Sequence, residues 1–574
     1  MVFDPHKPLI AQSDRTVLLE VDNPSFKEAR DRLALFAELV KSPEHIHTYR
    51  VTPLSIWNAA ATGVTLEDIL STLREFSKFE VPSNLLADIE DYLGRYRKLW
   101  FEPGVDLLAL CCADPILMEE LRHNKRIMSF LIDKGRRDRF YFEPRFRGDL
   151  KHALVKIGFP VKDLAGYVAG ARLELALRDH LPDGSAFGLR SYQTQAAEAF
   201  HLGGRAEGGS GVIVLPCGAG KTVVGLAVMN MLQTHTLILA TNIVALRQWR
   251  DEILEKTTIR PEDIAEYSGE SKGFAPITIA TYQIVVYRKD KEGPFPHFHL
   301  FNARDWGLII YDEVHLLPAP VFRATAEIQG RRRLGLTATL VREDGCEEDV
   351  FSLIGPKRFD VPWKELEEKG WIAAAQCHEI RLPLDTSTRH DYAAAGTRSK
   401  FRIASENPLK MVVVEELLEK HQGDQVLVIG QYLKQLQEIT RRFGFPLITG
   451  QTPNQRREEL FEDFREGRIP CLIVSKVANF AIDLPDANVA IQVSGTFGSR
   501  QEEAQRLGRI LRPKSHGRPA HFYSLVSRET VEQEYATKRQ LFLTEQGYSY
   551  EIIDRKDSFP AYYPPIPERG RFQS

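Results

Sequence analysis

The chain carries two different rhythms of apolar and polar residues. In residues 65–96 apolar side chains recur three and four positions apart, at Leu66, Ile69, Leu73 and Phe76, then at Leu86, Ile89, Leu93 and Tyr96. That spacing predicts two amphipathic helices. Thr65 is placed to cap the first, with Asp68 three residues on. Upstream, VLLEV at 17–21 predicts a strand, behind a loose lead-in of about ten residues. Trp57 and Trp100 are expected in the core, since aromatics supply large buried areas. These elements predict a small, mostly helical N-terminal domain over residues 1–130. A short mixed αβ module follows at 136–187, opening on Arg136-Arg137-Asp138-Arg139 and FYFEPRF. Arginine beside exposed aromatics suits base stacking and phosphate contacts. A small module with solvated charges accounts for the same residues.

From residue 188 the rhythm changes. Short apolar runs (GVIVL, TLILA, ITIA, GLIIYD, LGLTA) alternate with helical stretches, and the alternation resumes with QVLVIG, PCLIVS and NVAIQVS. Such alternation predicts parallel sheets covered on both faces. The fold class is therefore α/β, with two lobes in tandem at 188–380 and 381–560 and a tail at 561–574.

Bulk composition narrows the chemistry. A chain of 574 residues exceeds one core, and about three or four domains are expected. Net charge is −3, from 75 Lys and Arg against 78 Asp and Glu. A uniformly basic coat for nucleic acid is excluded, so any such site is a local cleft or stripe. No apolar run approaches the roughly 18–20 residues of a membrane span, and no secretory signal is expected. The six cysteines include no C-x-x-C pair. Reduced thiols in a cytoplasmic protein are the expectation.

The strand GVIVL leads directly into Pro216-Cys217-Gly218-Ala219-Gly220-Lys221-Thr222. A glycine loop between a strand and a helix aims main-chain N–H groups at phosphates, and Lys221 neutralises their charge. Gly218, Ala219, Gly220, Lys221 and Thr222 are thus candidate ATP contacts, Thr222 offering its hydroxyl to Mg²⁺. Leu215 stands where the strict motif has its first glycine. GLIIY delivers Asp312-Glu313-Val314-His315 at a strand end, where open parallel sheets bind ligands. Asp312 fits a Mg²⁺-holding role and Glu313 the base that orients water. His315 either relays nucleotide state or satisfies a local hydrogen bond. In Leu189-Arg190-Ser191-Tyr192-Gln193, the Gln193 amide suits the adenine edge, with Arg190 beside it. Within QEEAQRLGRILR, Gln505, Arg509 and Arg512 share a helical face and suit stabilisation of γ-phosphate charge.

Threonines and basic residues at strand-to-helix turns are expected to position a nucleic-acid backbone. They are Thr241 with Asn242 and Arg247, Thr281 in Ala-Thr-Tyr-Gln, and Thr337 with Thr339. Lys476, with Ser475 and Asp483, is the matching element of the second lobe.

LPCGAGKT, DEVH, LGLTATLVRED, GSRQEEAQRLGRILR and FYSLVSRETVEQEYATKRQLFLTEQGYSY together resemble the XPB family of superfamily 2 helicases over about residues 189–553. The resemblance implies RecA-like lobes, ATP and Mg²⁺ as cofactors, DNA as substrate and 3′-to-5′ polarity. It also implies a role in repair or transcription-linked opening. The N-terminal part resembles the shorter prokaryotic members, for which a nuclease partner is implied. Arg342-Glu343-Asp344 matches the family's element at the duplex fork. Residues 385–407, with Arg389, Arg398, Lys400 and Arg402, resemble its DNA-gripping thumb. Residues 140–187 resemble its damage-recognition module. One departure is Ala478-Asn479 where many relatives have Gly-Asp. A DNA helicase, a duplex translocase with weak strand separation, and a DNA-binding scaffold are the readings left open.

Overall fold

A computed structural model describes residues 3–555, except 43–44, 217, 291–292, 294, 339, 341–345, 362–365, 367–368, 370, 372–374, 476–486, 496–519 and 546–549. By contacts the chain divides into two compact units. One joins Met1–Leu215 with Gly220–Val361; the other joins Pro216–Ala219 with Pro362–Ser574.

The first unit opens on an antiparallel sheet in the order Leu9–Ala11, Thr16–Glu20, Ile46–Arg50, Glu38–Lys41. The expected lead-in therefore already contains a strand. The two helices read from periodicity are Leu66–Phe76 and Ser83–Arg95. Thr65 and Asp68 satisfy one another's main-chain N–H groups at 3.2 and 2.8 Å, closing the first helix's N-terminus. Ile69, Leu73 and Phe76 are buried along one face. Trp57 is core as expected, its indole N–H donating to the Tyr92 carbonyl at 3.1 Å.

A second small sheet runs Arg139–Phe142, Leu108–Cys112, Leu99–Glu102, Val161–Asp163, with helix Arg147–Lys156 against it. Its core includes Leu99, Phe101, Leu110, Phe140, Phe142, Leu150 and Leu154. The sheet takes strands from both sides of the boundary expected near 130–136. The module accordingly begins near Leu99, because among the described residues Leu108–Cys112 finds its partners in Leu99–Glu102 and Arg139–Phe142.

The rest of the first unit is a seven-stranded sheet with all its pairs parallel. Its order is Ile264–Tyr267, Ile277–Thr281, Thr236–Ala240, Leu308–Asp312, Arg332–Thr337, Ser210–Val214, Lys357–Asp360. Every residue of Ser210–Val214, Thr236–Ala240 and Ile277–Thr281 is buried. A sheet covered on both faces requires this, and each large apolar side chain so buried contributes about 1.5–3 kcal/mol.

The second unit holds another seven-stranded sheet of parallel pairs: Leu447–Ile448, Cys471–Ser475, Val426–Gly430, Val489–Gln492, Ala520–Ser527, Ala375–Leu382, Tyr550–Asp554. Ala375–Leu382 pairs with Ala520–Ser527 along its whole length, so the lobe boundary lies before 375 rather than at 381. Gln376, His378, Glu379 and Arg381 interrupt the apolar run there and hid the strand. Residues 385–407 form helices Thr386–Ala394 and Thr397–Ser405. Phe401 and Ala404 anchor the second, and the Tyr392 hydroxyl accepts from the Val531 N–H at 2.9 Å.

Candidate functional site

The site grows from the C-terminal ends of neighbouring strands in the first unit. Ser210–Val214 leads to the glycine loop, and helix Lys221–Leu232 follows, capped by Gly220 at φ +79°. Left-handed backbone at this point favours glycine. A Cβ on Gly220 would also press on Gln193 Nε2, at 2.7 Å. Gln193 is buried, and its Oε1 accepts from the Arg190 N–H at 2.9 Å. The glutamine expected at the nucleotide thus lies against the phosphate loop, and Arg190 caps its helix.

Leu308–Asp312 brings the acidic pair to the same end of the sheet. Lys221 Nζ lies 2.8 Å from Glu313 Oε1, with the two side chains 11% and 16% exposed. Glu313 sits in left-handed backbone at φ +48°, which turns its side chain away from the strand's alternation. Burial acts against its charge, yet Lys221 and then His315 hold its carboxyl below the usual range, helped by the Ala338 N–H. Asp312 behaves oppositely. Burial first, and the Glu313 carboxylate second, push it up to about 6, against the pull of Lys221 and the Trp249 N–H. The two carboxyls thus differ in acidity because only one of them pairs with the lysine.

Around Asp312 stand two donors: Trp249 Nε1 reaches its Oδ2 at 3.1 Å, and the Tyr282 hydroxyl reaches its main-chain carbonyl at 2.8 Å. Sequence reasoning missed both contacts, although Tyr282 follows Thr281 and Trp249 lies two residues after Arg247. His315 is buried, with Nδ1 2.6 Å from the Thr337 hydroxyl and 3.4 Å from Glu313 Oε2. It therefore makes a local hydrogen bond, one that joins the acidic box to the strand Arg332–Thr337.

The residues present fit a magnesium nucleotide. Gly220 opens the helix in left-handed backbone, and a lysine and two carboxyls converge beside it. Thr222, half-buried in the first helical turn, and Asp312 would hold the ion. Bound there, it would supply charge neutralisation on phosphate oxygens.

Two expected backbone contacts are corrected. The Thr281 side chain is 2% exposed and caps the turn at Tyr282–Val285, accepting from the Ile284 N–H at 3.4 Å. Thr337 is fully buried, its hydroxyl bound to His315. Neither presents a hydroxyl to a phosphate. Thr241 is half-buried and accepts from Asn242 Nδ2 at 3.3 Å, while Asn242 caps the helix Ile243–Lys256. Arg247 is exposed and paired with Glu270 at 2.9 Å. In the second unit, Arg398 lies on helix Thr397–Ser405, and the Lys400 ammonium sits 5.4 Å from the centre of the Tyr392 ring. Thr339, Arg342, Glu343, Asp344, Lys476, Asp483, Gln505, Arg509 and Arg512 lie outside the described residues, as do Ala478 and Asn479.

Three family models match the chain. Residues 366–562 match the ERCC3/RAD25/XPB C-terminal helicase, and 9–135 a helicase conserved C-terminal domain. Residues 186–342 match the res subunit of type III restriction enzymes. The chain is 52% identical to the DNA 3′-5′ helicase XPB of Kineococcus radiotolerans, over 96% of this chain and 97% of that one. It is also 52% identical to the DNA 3′-5′ helicase XPB of Mycobacterium tuberculosis, over 96% and 98%. It is 32% identical to the general transcription and DNA repair factor IIH helicase/translocase subunit XPB/SSL2 of Saccharomyces cerevisiae, over 95% and 72%. A glycine cradle, a paired lysine and an acidic box on a parallel sheet, together with this identity over nearly the whole length, place the chain in the XPB family of DNA helicases.

Proposed function

We propose that this chain couples hydrolysis of Mg-ATP to 3′-to-5′ movement along DNA and to separation of its strands, in the service of DNA repair. The observation that carries the reading is the convergence of Lys221, Asp312 and Glu313 beside the Gly220 cradle. Lys221 grips the phosphates, and Gln193 reads the base end of the nucleotide. Glu313, released when Lys221 turns to the phosphates, takes the proton of the attacking water. Catalysis here is positioning and electrostatics. Arg509 and Arg512, with Gln505, are assigned to the same reaction from sequence. Arg509→Ala should impair hydrolysis far more than DNA binding, and the reverse pattern would assign that segment to DNA instead.

The test is the ATPase rate measured in parallel with no nucleic acid, single-stranded DNA, duplex DNA and RNA. Stimulation by DNA and not by RNA is expected; equal rates in all four would overturn the reading. A duplex translocase is the second reading, favoured by the yeast relative's name, which joins helicase and translocase. Unwinding of a 3′-tailed duplex beside triplex displacement separates the two. Residues 140–187 are proposed as the damage-recognition module and 385–407 as the thumb. Arg342-Glu343-Asp344 is proposed at the fork. Among the described residues no helix is long and apolar enough to cross a membrane. Cytoplasmic residence and a nuclease partner are the finer expectations, tested by fractionation and by co-migration with nuclease activity.

A further inference from the structure

Two segments of the expected nucleic-acid track send an aromatic donor to the same acidic residue. Trp249 belongs to helix Ile243–Lys256, which follows strand Thr236–Ala240. Tyr282 comes directly after strand Ile277–Thr281. Thr236–Ala240 lies between Ile277–Thr281 and Leu308–Asp312 in the sheet, so these are neighbouring strand ends. The indole N–H reaches the Asp312 carboxylate at 3.1 Å, and the phenol hydroxyl reaches the Asp312 carbonyl at 2.8 Å. Side chain and main chain of one residue are thus held from two segments.

A buried indole or phenol needs a partner wherever it lies, so satisfaction alone proves little. The choice of partner says more. Trp57 and Trp306, also buried, give their N–H to the backbone carbonyls of Tyr92 and Leu300. Trp249, 2% exposed, gives its own to the carboxylate assigned to the metal. Its ring also meshes with the helix that begins at Lys221. A Cβ on Gly225 would lie 2.5 Å from Trp249 Cη2, so only glycine admits the ring there. Tyr282 is 4% exposed. Water therefore cannot readily replace either donor, and a shift of its segment is felt at Asp312.

We propose that Trp249 and Tyr282 are positioning residues that pass movement of helix Ile243–Lys256 and of the turn Tyr282–Val285 to Asp312, so that a shift of these segments when DNA binds sets how this carboxylate is held for hydrolysis. The proposal rests on the DNA-driven ATPase reading above.

Trp249→Phe and Tyr282→Phe each keep an aromatic ring and remove one donor. The ATPase would be measured with and without single-stranded DNA, beside DNA affinity, melting temperature and the Mg²⁺ dependence of binding to a fluorescent ATP analogue. The stimulation ratio should fall about tenfold in Trp249→Phe, whose partner is ionised, and about threefold in Tyr282→Phe, whose partner is a neutral carbonyl. Half-saturating Mg²⁺ for nucleotide binding should rise in Trp249→Phe, with DNA affinity unchanged in both. Wild-type stimulation in both variants would overturn the link and leave the DNA reading standing. A stimulation loss that merely tracks lost DNA affinity or a lowered melting temperature would reduce both residues to structural supports. Absence of any DNA stimulation in the unaltered protein would overturn the DNA reading, and the link with it.

Discussion

Glu313→Gln probes the tightest contact of the site. The carboxamide keeps the shape of the side chain and can still accept from Lys221, so packing is preserved. What disappears is the charge on the acceptor. A hydrogen bond to an ionised group contributes about 1.5–3 kcal/mol and a neutral one about 0.5–1.5 kcal/mol, so the contact weakens by about 1–1.5 kcal/mol. Both partners are mostly buried, which leaves little solvent screening to discount. Lys221 exchanges Glu313 for phosphate when nucleotide binds. A cheaper release should therefore tighten nucleotide binding by about five- to tenfold. Turnover moves the other way. A positioned general base supplies about 10²–10⁴-fold, and the amide cannot take the proton, so hydrolysis should fall by that factor. Titration with a fluorescent ATP analogue and single-turnover hydrolysis read the two effects separately. Weakened nucleotide binding, or turnover within about tenfold of the unaltered protein, would refute the assignment of Glu313 as base and lysine partner.

Lys221→Ala should abolish hydrolysis and lower the stability of the first unit by about 3 kcal/mol, because a buried carboxylate loses its partner. An unchanged thermal melt would show that the pair does not form in solution. Thr281→Val and Thr337→Val should leave DNA affinity unchanged, since both hydroxyls are buried. Thr337→Val should slow turnover through His315, and weakened DNA binding by Thr281→Val would restore its phosphate role. Burial, with Arg30 behind it, pushes His47 down to about 4, and burial with the neighbouring His421 does the same for His521. A depressed histidine makes the unfolded chain bind more protons, so this stability is complete above about 6.5 and lost as pH falls towards about 4. Melting temperatures that stay flat over that window would contradict the depression of these two histidines.

The sequence was most legible where one residue type answers one physical demand. The five apolar runs read in the first lobe are strands of its sheet, because a strand buried on both faces tolerates little else. The glycine loop and acidic box were legible because phosphates and metal ions admit few solutions. Ile264–Tyr267 and Lys357–Asp360 escaped notice as edge strands whose exposed sides permit polar residues. Ala375–Leu382 escaped because its polar residues find partners beyond the strand: His378 pairs with Glu551 at 2.8 Å, and Glu379 is buried beside Arg381. Thr281 and Thr337 were misplaced for another reason. A threonine after a strand is equally a cap or a buried donor, and only packing decides between them. The pairing of Trp249 and Tyr282 with Asp312 is not legible at all, since nothing local indicates that both meet there.

The module beginning near Leu99 is not a loosely tethered appendage of the first unit. A Cβ on Gly148 would lie 2.5 Å from Ala326 Cα, so helix Arg147–Lys156 touches helix Ala319–Glu327 backbone to backbone. Beside that contact Arg147 pairs with Asp163 at 2.7 Å, while Lys151 pairs with Asp163 and donates to Gln329 Oε1 at 2.9 Å. Arg333 and Arg147 both stack over Tyr167. Burial pulls the Lys151 ammonium down to about 7, against the support of Asp163. Two cations, Arg147 and Lys151, therefore share one buried carboxylate, and taking that carboxylate away would cost about 3–5 kcal/mol. Such an interface resists sliding, because the two helices meet backbone to backbone and the buried Lys151–Gln329 hydrogen bond crosses it. Arg333 begins this contact near one end of strand Arg332–Thr337, and Thr337 meets His315 at the other. Whatever the module binds is consequently held in the frame of the strand that supports the acidic box.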